Sequence, residues 1–210
     1  EIRQRKDDAY ISFVEPLYDL PLTDKVVLRT QVPYVVNNPA DAPSTDGLGD
    51  ITNVLSYRYF SGAGRSYDVG LEVRWNTASA PELGVGNTLL APTWFGSITV
   101  PKYNTILFPL VQTFISVDRD EGRRKLHYTV LKGRFLTKLE NRYYIYVEPV
   151  IYVQHRRDNE TTGTLELEFG RFVNAQTMLY LRPGAGLWGN VGSPYLFEWN
   201  FEVGYRYFFK

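Results

Sequence analysis

Apolar and polar residues alternate one by one along most of this chain. From 195 to 209 the odd positions are Tyr195, Phe197, Trp199, Phe201, Val203, Tyr205, Tyr207 and Phe209, while the even ones include Glu198, Asn200, Glu202, Gly204 and Arg206. A period of two puts these sets on opposite faces of one extended strand. Strands of soluble sheets commonly run about five or six residues, and this pattern continues well past that length. In 66–77, Tyr67, Val69, Leu71, Val73 and Trp75 alternate with Asp68, Gly70, Glu72, Arg74 and Asn76. Segments 142–156, 162–173 and 176–188 behave in the same way. One face suits lipid and the other needs water or ionic partners. A soluble sandwich would show shorter strands with the apolar face turned inward.

Eleven such segments are legible, at about 8–18, 25–36, 49–60, 66–77, 87–100, 105–118, 124–138, 142–156, 162–173, 176–188 and 195–209. Short connections such as Pro21–Asp24, Ser61–Gly64 and Lys138–Asn141 alternate with longer ones such as Asn37–Leu48, Ala78–Gly86 and Arg156–Thr162. Outer-membrane barrels have short periplasmic turns and longer outside loops, so this alternation assigns the sides and ends the last strand in the periplasm. Single-chain bacterial barrels have an even strand count. The expected fold is therefore an all-β, antiparallel transmembrane β-barrel of about twelve strands, a single domain over 1–210. Its first strand is expected to lie before Glu1, with residues 1–7 in the first outer loop.

Composition agrees with a bilayer-spanning barrel. The chain has 210 residues, 15% of them aromatic, no cysteine and a formal net charge of zero. Aromatic residues gather in girdles at membrane interfaces. No apolar run is long enough for a membrane-spanning helix, and barrel strands need none. The neutral balance argues against nucleic acid as a partner. Glu1–Asp8 is too charged for an export signal, so a signal would have been removed from this numbering. The expected location is the bacterial outer membrane.

Short glycine-bearing motifs add a resemblance. Gly47-Leu-Gly-Asp-Ile-Thr-Asn53, Gly84-Val-Gly-Asn-Thr-Leu-Leu-Ala-Pro-Thr93, Pro109-Leu-Val-Gln112 and Tyr146-Val-Glu-Pro-Val-Ile151 together resemble the outer-membrane family named after a putative meta-pathway of phenol degradation. The resemblance covers nearly the whole chain from about residue 8 and implies a transporter-like β-barrel. It brings no catalytic residues with it. Gly47, Gly49, Gly84 and Gly86 lack the Lys-Ser/Thr of a phosphate loop and are expected to allow tight backbone at strand starts.

Candidate chemistry lies on the polar face. Glu72, Arg74, Arg134, Glu148 and Glu166 point inward by parity, as do Glu168, Arg182, Glu198, Glu202 and Arg206. With signs nearly balanced, they form either a paired polar filling or a charged constriction that selects solutes. Arg182 and Arg206 are the nearest candidate partners of an acidic patch formed by Glu148, Glu166 and Glu168. Inward tyrosines Tyr144, Tyr146, Tyr152 and Tyr180 line a route or fill volume. At the outer rim, Arg119, Arg123, Arg124, Arg156 and Arg157 are candidates for contact with lipopolysaccharide phosphates. His127 and His155, the only histidines, fall near each other on adjacent strands. A hydrolase would need one of them on a nucleophile such as Ser116 or Thr129. No motif for that accompanies them, and two histidines without a third ligand make a poor metal site.

The expected function is a passive, monomeric channel or transporter for small molecules, including hydrophobic or aromatic ones, without cofactor, metal or enzymatic activity. The competing expectation is a closed-lumen barrel that acts through its outer loops or a partner protein.

Overall fold

The computed structural model describes residues 2–4, 10–189 and 197–207. Its strands are β1 (Ile2–Gln4), β2 (Tyr10–Val14), β3 (Leu17–Pro21), β4 (Val26–Gln31), β5 (Tyr34–Asn38), β6 (Thr45–Leu48), β7 (Thr52–Gly62) and β8 (Arg65–Arg74). They continue with β9 (Asn87–Val100), β10 (Thr105–Arg119), β11 (His127–Lys138), β12 (Tyr143–Gln154), β13 (Glu160–Phe172), β14 (Thr177–Trp188) and β15 (Trp199–Tyr207). All belong to one antiparallel sheet.

Several of these segments are halves of one strand. β2 and β3 flank Glu15-Pro16, β4 and β5 flank Val32-Pro33, and the two halves share one register: Tyr10 faces Asn38 and Leu17 faces Gln31. Proline offers no N–H to the ladder, so the interruptions fall there. β6 and β7 slip by one residue against their partner around Gly49–Ile51. The fifteen segments therefore form twelve staves. Because β1 pairs with both β15 and β2, the sheet closes on itself.

That closure corrects one expectation. Ile2–Gln4 belong to the wall, with Ile2 opposite both Phe201 and Ser12, and not to an outer loop. Three residues among so many charges carry too little alternation to be read as a strand. The connection expected over Asn37–Leu48 is also shorter, because Thr45–Leu48 pair back onto Tyr34–Asn37. The ends of the 195–209 alternation, Tyr195 and Phe209, lie outside the described residues.

The faces sort as the alternation requires. Outward Leu55, Val69, Leu71, Phe169, Leu181 and Val203 are all exposed, while inward Asp68, Glu148 and Glu168 are buried. A soluble protein would reverse this. A charge moved to the outer face at mid-bilayer costs about 2–4 kcal/mol, so each stave's register is strongly specified. Aromatics gather at both ends. Trp75, Trp188 and Trp199 lie toward the longer loops. Toward the short turns Tyr67 stacks against Tyr59 and Trp94, whose Nε1 donates to the Tyr59 hydroxyl at 3.0 Å.

Inside, large and small residues interlock across strands. Tyr144 faces Gly170, and Tyr180 faces Gly204. A Cβ on either glycine would overlap the tyrosine ring. Gly204→Val is therefore expected to destabilise the barrel by about 1–3 kcal/mol, as overpacking does. The urea unfolding midpoint in detergent measures it, with outward Val203→Leu as a control that leaves the midpoint in place.

Candidate functional site

The lumen has two unlike halves. On β11–β15, acidic and basic side chains fill the interior. Glu148 accepts from Lys132 Nζ at 3.0 Å, and Arg134 Nε lies 2.8 Å from its other oxygen. The directly opposed Glu148 and Glu166 would repel without such partners. Glu166 accepts from Asn200 Nδ2 at 2.6 Å and lies 3.6 Å from Arg182 Nη1. Glu168, 1% exposed, is the hub. It accepts from the Tyr144 hydroxyl at 2.6 Å, from Arg182 Nε at 2.8 Å and from Arg206 at 3.2 Å. Glu202 accepts from the Tyr180 hydroxyl and lies 3.7 Å from Arg182.

The inward tyrosines complete this filling. Arg182 stands 5.6 Å from the Tyr146 ring centroid and 5.7 Å from that of Tyr180, and Arg206 lies 4.2 Å over Tyr180. Such contacts stabilise a desolvated guanidinium. Low local dielectric strengthens every bond in the network and makes a missing member costly.

The other half is lined less densely. Glu72 accepts from Gln112 Nε2 at 2.8 Å and from Arg74 at 3.2 Å. Arg58 pairs with Asp68 at 3.1 Å, and Arg29 with Asp19 at 2.7 Å. Asp19 escaped the sequence reading because its stave carries apolar Ile11 and Phe13 on the inner face too, which blurs the alternation. Between the halves lies a cavity of about 820 Å³, bounded by residues such as Val27, Val54, Phe95, Phe108, Leu110 and Lys132.

Residues 75–86 form a roof at the long-loop end of this cavity, which Glu82, Leu83, Gly84 and Val85 line. Asp50 accepts from three of the roof's backbone N–H groups, Thr77 at 3.2 Å, Ala78 at 3.2 Å and Val85 at 2.7 Å. Ser79 donates through both N–H and hydroxyl to the Leu48 carbonyl, and Asn76 donates to Asp120 at 2.7 Å. Asn37 and Arg123 reach the carbonyls of Glu82 and Pro81. Beneath, buried Val85 packs with Leu89, Phe114, Tyr128, Val130 and Val150, and the Phe114 and Tyr128 rings stack 4.7 Å apart.

The glycine motifs meet in this joint. A Cβ on Gly84 would come within 2.5 Å of Asp50 and 2.6 Å of Ala78, and one on Gly49 within 2.7 Å of Val35. Gly86 adopts φ +63°, against Arg123. The glycines do more than ease strand starts: they let the roof approach the wall. The sequence signal that could have found Asp50 was its place within Gly47-Leu-Gly-Asp50, beside a loop rich in free backbone donors.

The remaining candidates are dispersed. Glu198 is exposed just ahead of β15. Arg123 turns into the roof joint, and Arg119 Nη1 donates to its carbonyl at 2.6 Å. Arg124, in the connection before β11, and Arg156 and Arg157, in the turn after β12, are exposed at the long-loop end. The His127 and His155 rings are 4.6 Å apart. His155 Nε2 lies 2.8 Å from Thr129 Oγ1, and its Nδ1 lies 3.0 Å from Asn159 Oδ1. Thr129 Oγ1 is shared with Thr113 at 2.9 Å, and His155 N–H donates to the His127 carbonyl. The cluster fastens the turn after β12.

No protein-family model matches the chain, and no curated protein matches it in sequence. Solved structures do. The structure described as KdgM porin superposes with a TM-score of 0.66 at 14% identity, covering 100% of this chain and 98% of that one. The COG4313 outer membrane channel from Pseudomonas putida F1 gives a TM-score of 0.69 at 15% identity, covering 98% of this chain and 88% of that one. The chain thus has the fold of outer-membrane β-barrels.

Proposed function

We propose that this chain is a passive channel of the bacterial outer membrane for small molecules. The observation that carries this reading is the cavity of about 820 Å³ left open beside a densely filled ionic wall. A closed structural barrel has no need of such a volume. The likeness to a porin and to an outer membrane channel supports the same reading. The resemblance to the phenol meta-pathway family fits as well, since two of its motifs build the roof joint. Exposed Arg124, Arg156 and Arg157 are proposed to meet lipopolysaccharide phosphates at the outer rim.

Single-channel recording in a planar bilayer tests the reading. Discrete steps are expected, with altered size and ion preference in a Glu148→Ala, Arg182→Ala double variant, because both groups face the lumen. Silence from both proteins, with heat-modifiable gel mobility showing them folded, would favour a closed barrel acting through its loops.

A further inference from the structure

We propose that the cavity contains a binding subsite for a small aromatic carboxylate, with Lys132 and Arg134 taking the carboxylate and Phe95, Phe108 and Leu110 taking the ring. This deepens the channel reading and rests on the lumen being a solute route. The wall is contiguous: Phe108 stands directly opposite Arg134, Leu110 opposite Lys132, and Phe95 opposite Leu110. All five side chains border the cavity. Adjacent strands lie about 4.8 Å apart, so the patch spans about 10 Å from β9 to β11, room for one ring bearing a carboxylate.

The charge arrangement points to an anion. Lys132 and Arg134 share the single carboxylate of Glu148, and the residues of β9–β11 that line the cavity include these two cations and no acid. An ammonium carries three donors and a guanidinium five. Elsewhere around the cavity three acids are engaged. Glu72 is held by Arg74 and Gln112, Asp19 by Arg29, and Glu15 accepts from Gln31 at 3.1 Å. On β13–β15, Glu166, Glu168 and Glu202 outnumber Arg182 and Arg206, so that side favours an anion less. The apolar patch rules against a fully hydrated one, since phenylalanine and leucine offer nothing to a sugar acid's hydroxyls.

Isothermal titration of the detergent-solubilised full chain tests this with benzoate, acetate and benzyl alcohol as probes. Benzoate is expected to bind at least about tenfold more tightly than either of the others, the worth of one charge-assisted hydrogen bond or one well-buried ring. Lys132→Gln is expected to lower benzoate affinity to the benzyl alcohol level, and Leu110→Asn to lower it to the acetate level. Benzoate binding no tighter than acetate or benzyl alcohol overturns the subsite, as does full affinity in folded Lys132→Gln. The comparison of probes on the unaltered chain decides the matter even where a variant fails to fold. Binding by a protein that conducts nothing would retain the subsite and remove the channel; conductance without preference for benzoate would do the reverse.

Discussion

Glu168→Ala is expected to be the most damaging single substitution in the barrel, lowering unfolding stability by about 3–5 kcal/mol. Glu168 is almost wholly buried and collects Tyr144, Arg182 and Arg206. Its removal leaves Arg182, itself largely buried, without its closest carboxylate. Arg206 contributes less, because its side chain is 40% exposed and solvent screens it. Glu168→Gln keeps shape and an acceptor oxygen, so its loss should be smaller. The urea midpoint of the protein folded into lipid vesicles measures both. A loss below about 1 kcal/mol, the range of an exposed pair, would mean that lumen water already solvates the arginines.

The second large effect is on the roof. Asp50→Ala removes the acceptor of three backbone N–H groups. A hydrogen bond to a charged group is worth about 1.5–3 kcal/mol, so with water recovering all but one bond's worth, losing the set should raise the population of the unlatched roof on the order of a hundredfold. Hydrogen exchange at the Thr77, Ala78 and Val85 amides should accelerate accordingly, and single-channel steps should grow. Asp50→Asn keeps an acceptor and should fall between. Unchanged exchange in the alanine variant would show that Leu83 and Val85 hold the roof by packing alone.

How much of this was legible in the sequence follows from how each feature is encoded. The outward and inward faces of β8 and β12–β15 were readable, because one lipid-facing and one polar face force strict alternation. The inner face of β9 and β10 was harder, since Leu89, Ala91, Phe95 and Phe108 are apolar inside a lumen. Those residues serve the roof and the cavity, and alternation has no way to announce either. β1 was missed because three residues carry too short a pattern. Glu168 was readable as an inward acid, but its role as hub depends on Tyr144 and Arg206, which lie 24 and 38 residues away. The roof joint was half visible: its glycines stood out, while their partner Asp50 looked like an ordinary loop acid.

The roof also dates itself in the order of assembly. A hairpin contact such as Arg58 with Asp68 spans 10 residues. Asp50 reaches across 27, 28 and 35 residues to the roof amides, and Arg123, Asn76 and Asn37 across 42, 44 and 45. Contacts of long separation form only after the entropy of closing the intervening chain has been met by more local structure. The ties from Arg123, Asn76 and Asn37 also join separate hairpins, so they have nothing to grip until those staves stand side by side. The roof therefore latches only after the staves it ties have paired, and a phase reported by the environment of Trp75, later than hairpin formation, is the kinetic trace this order would leave.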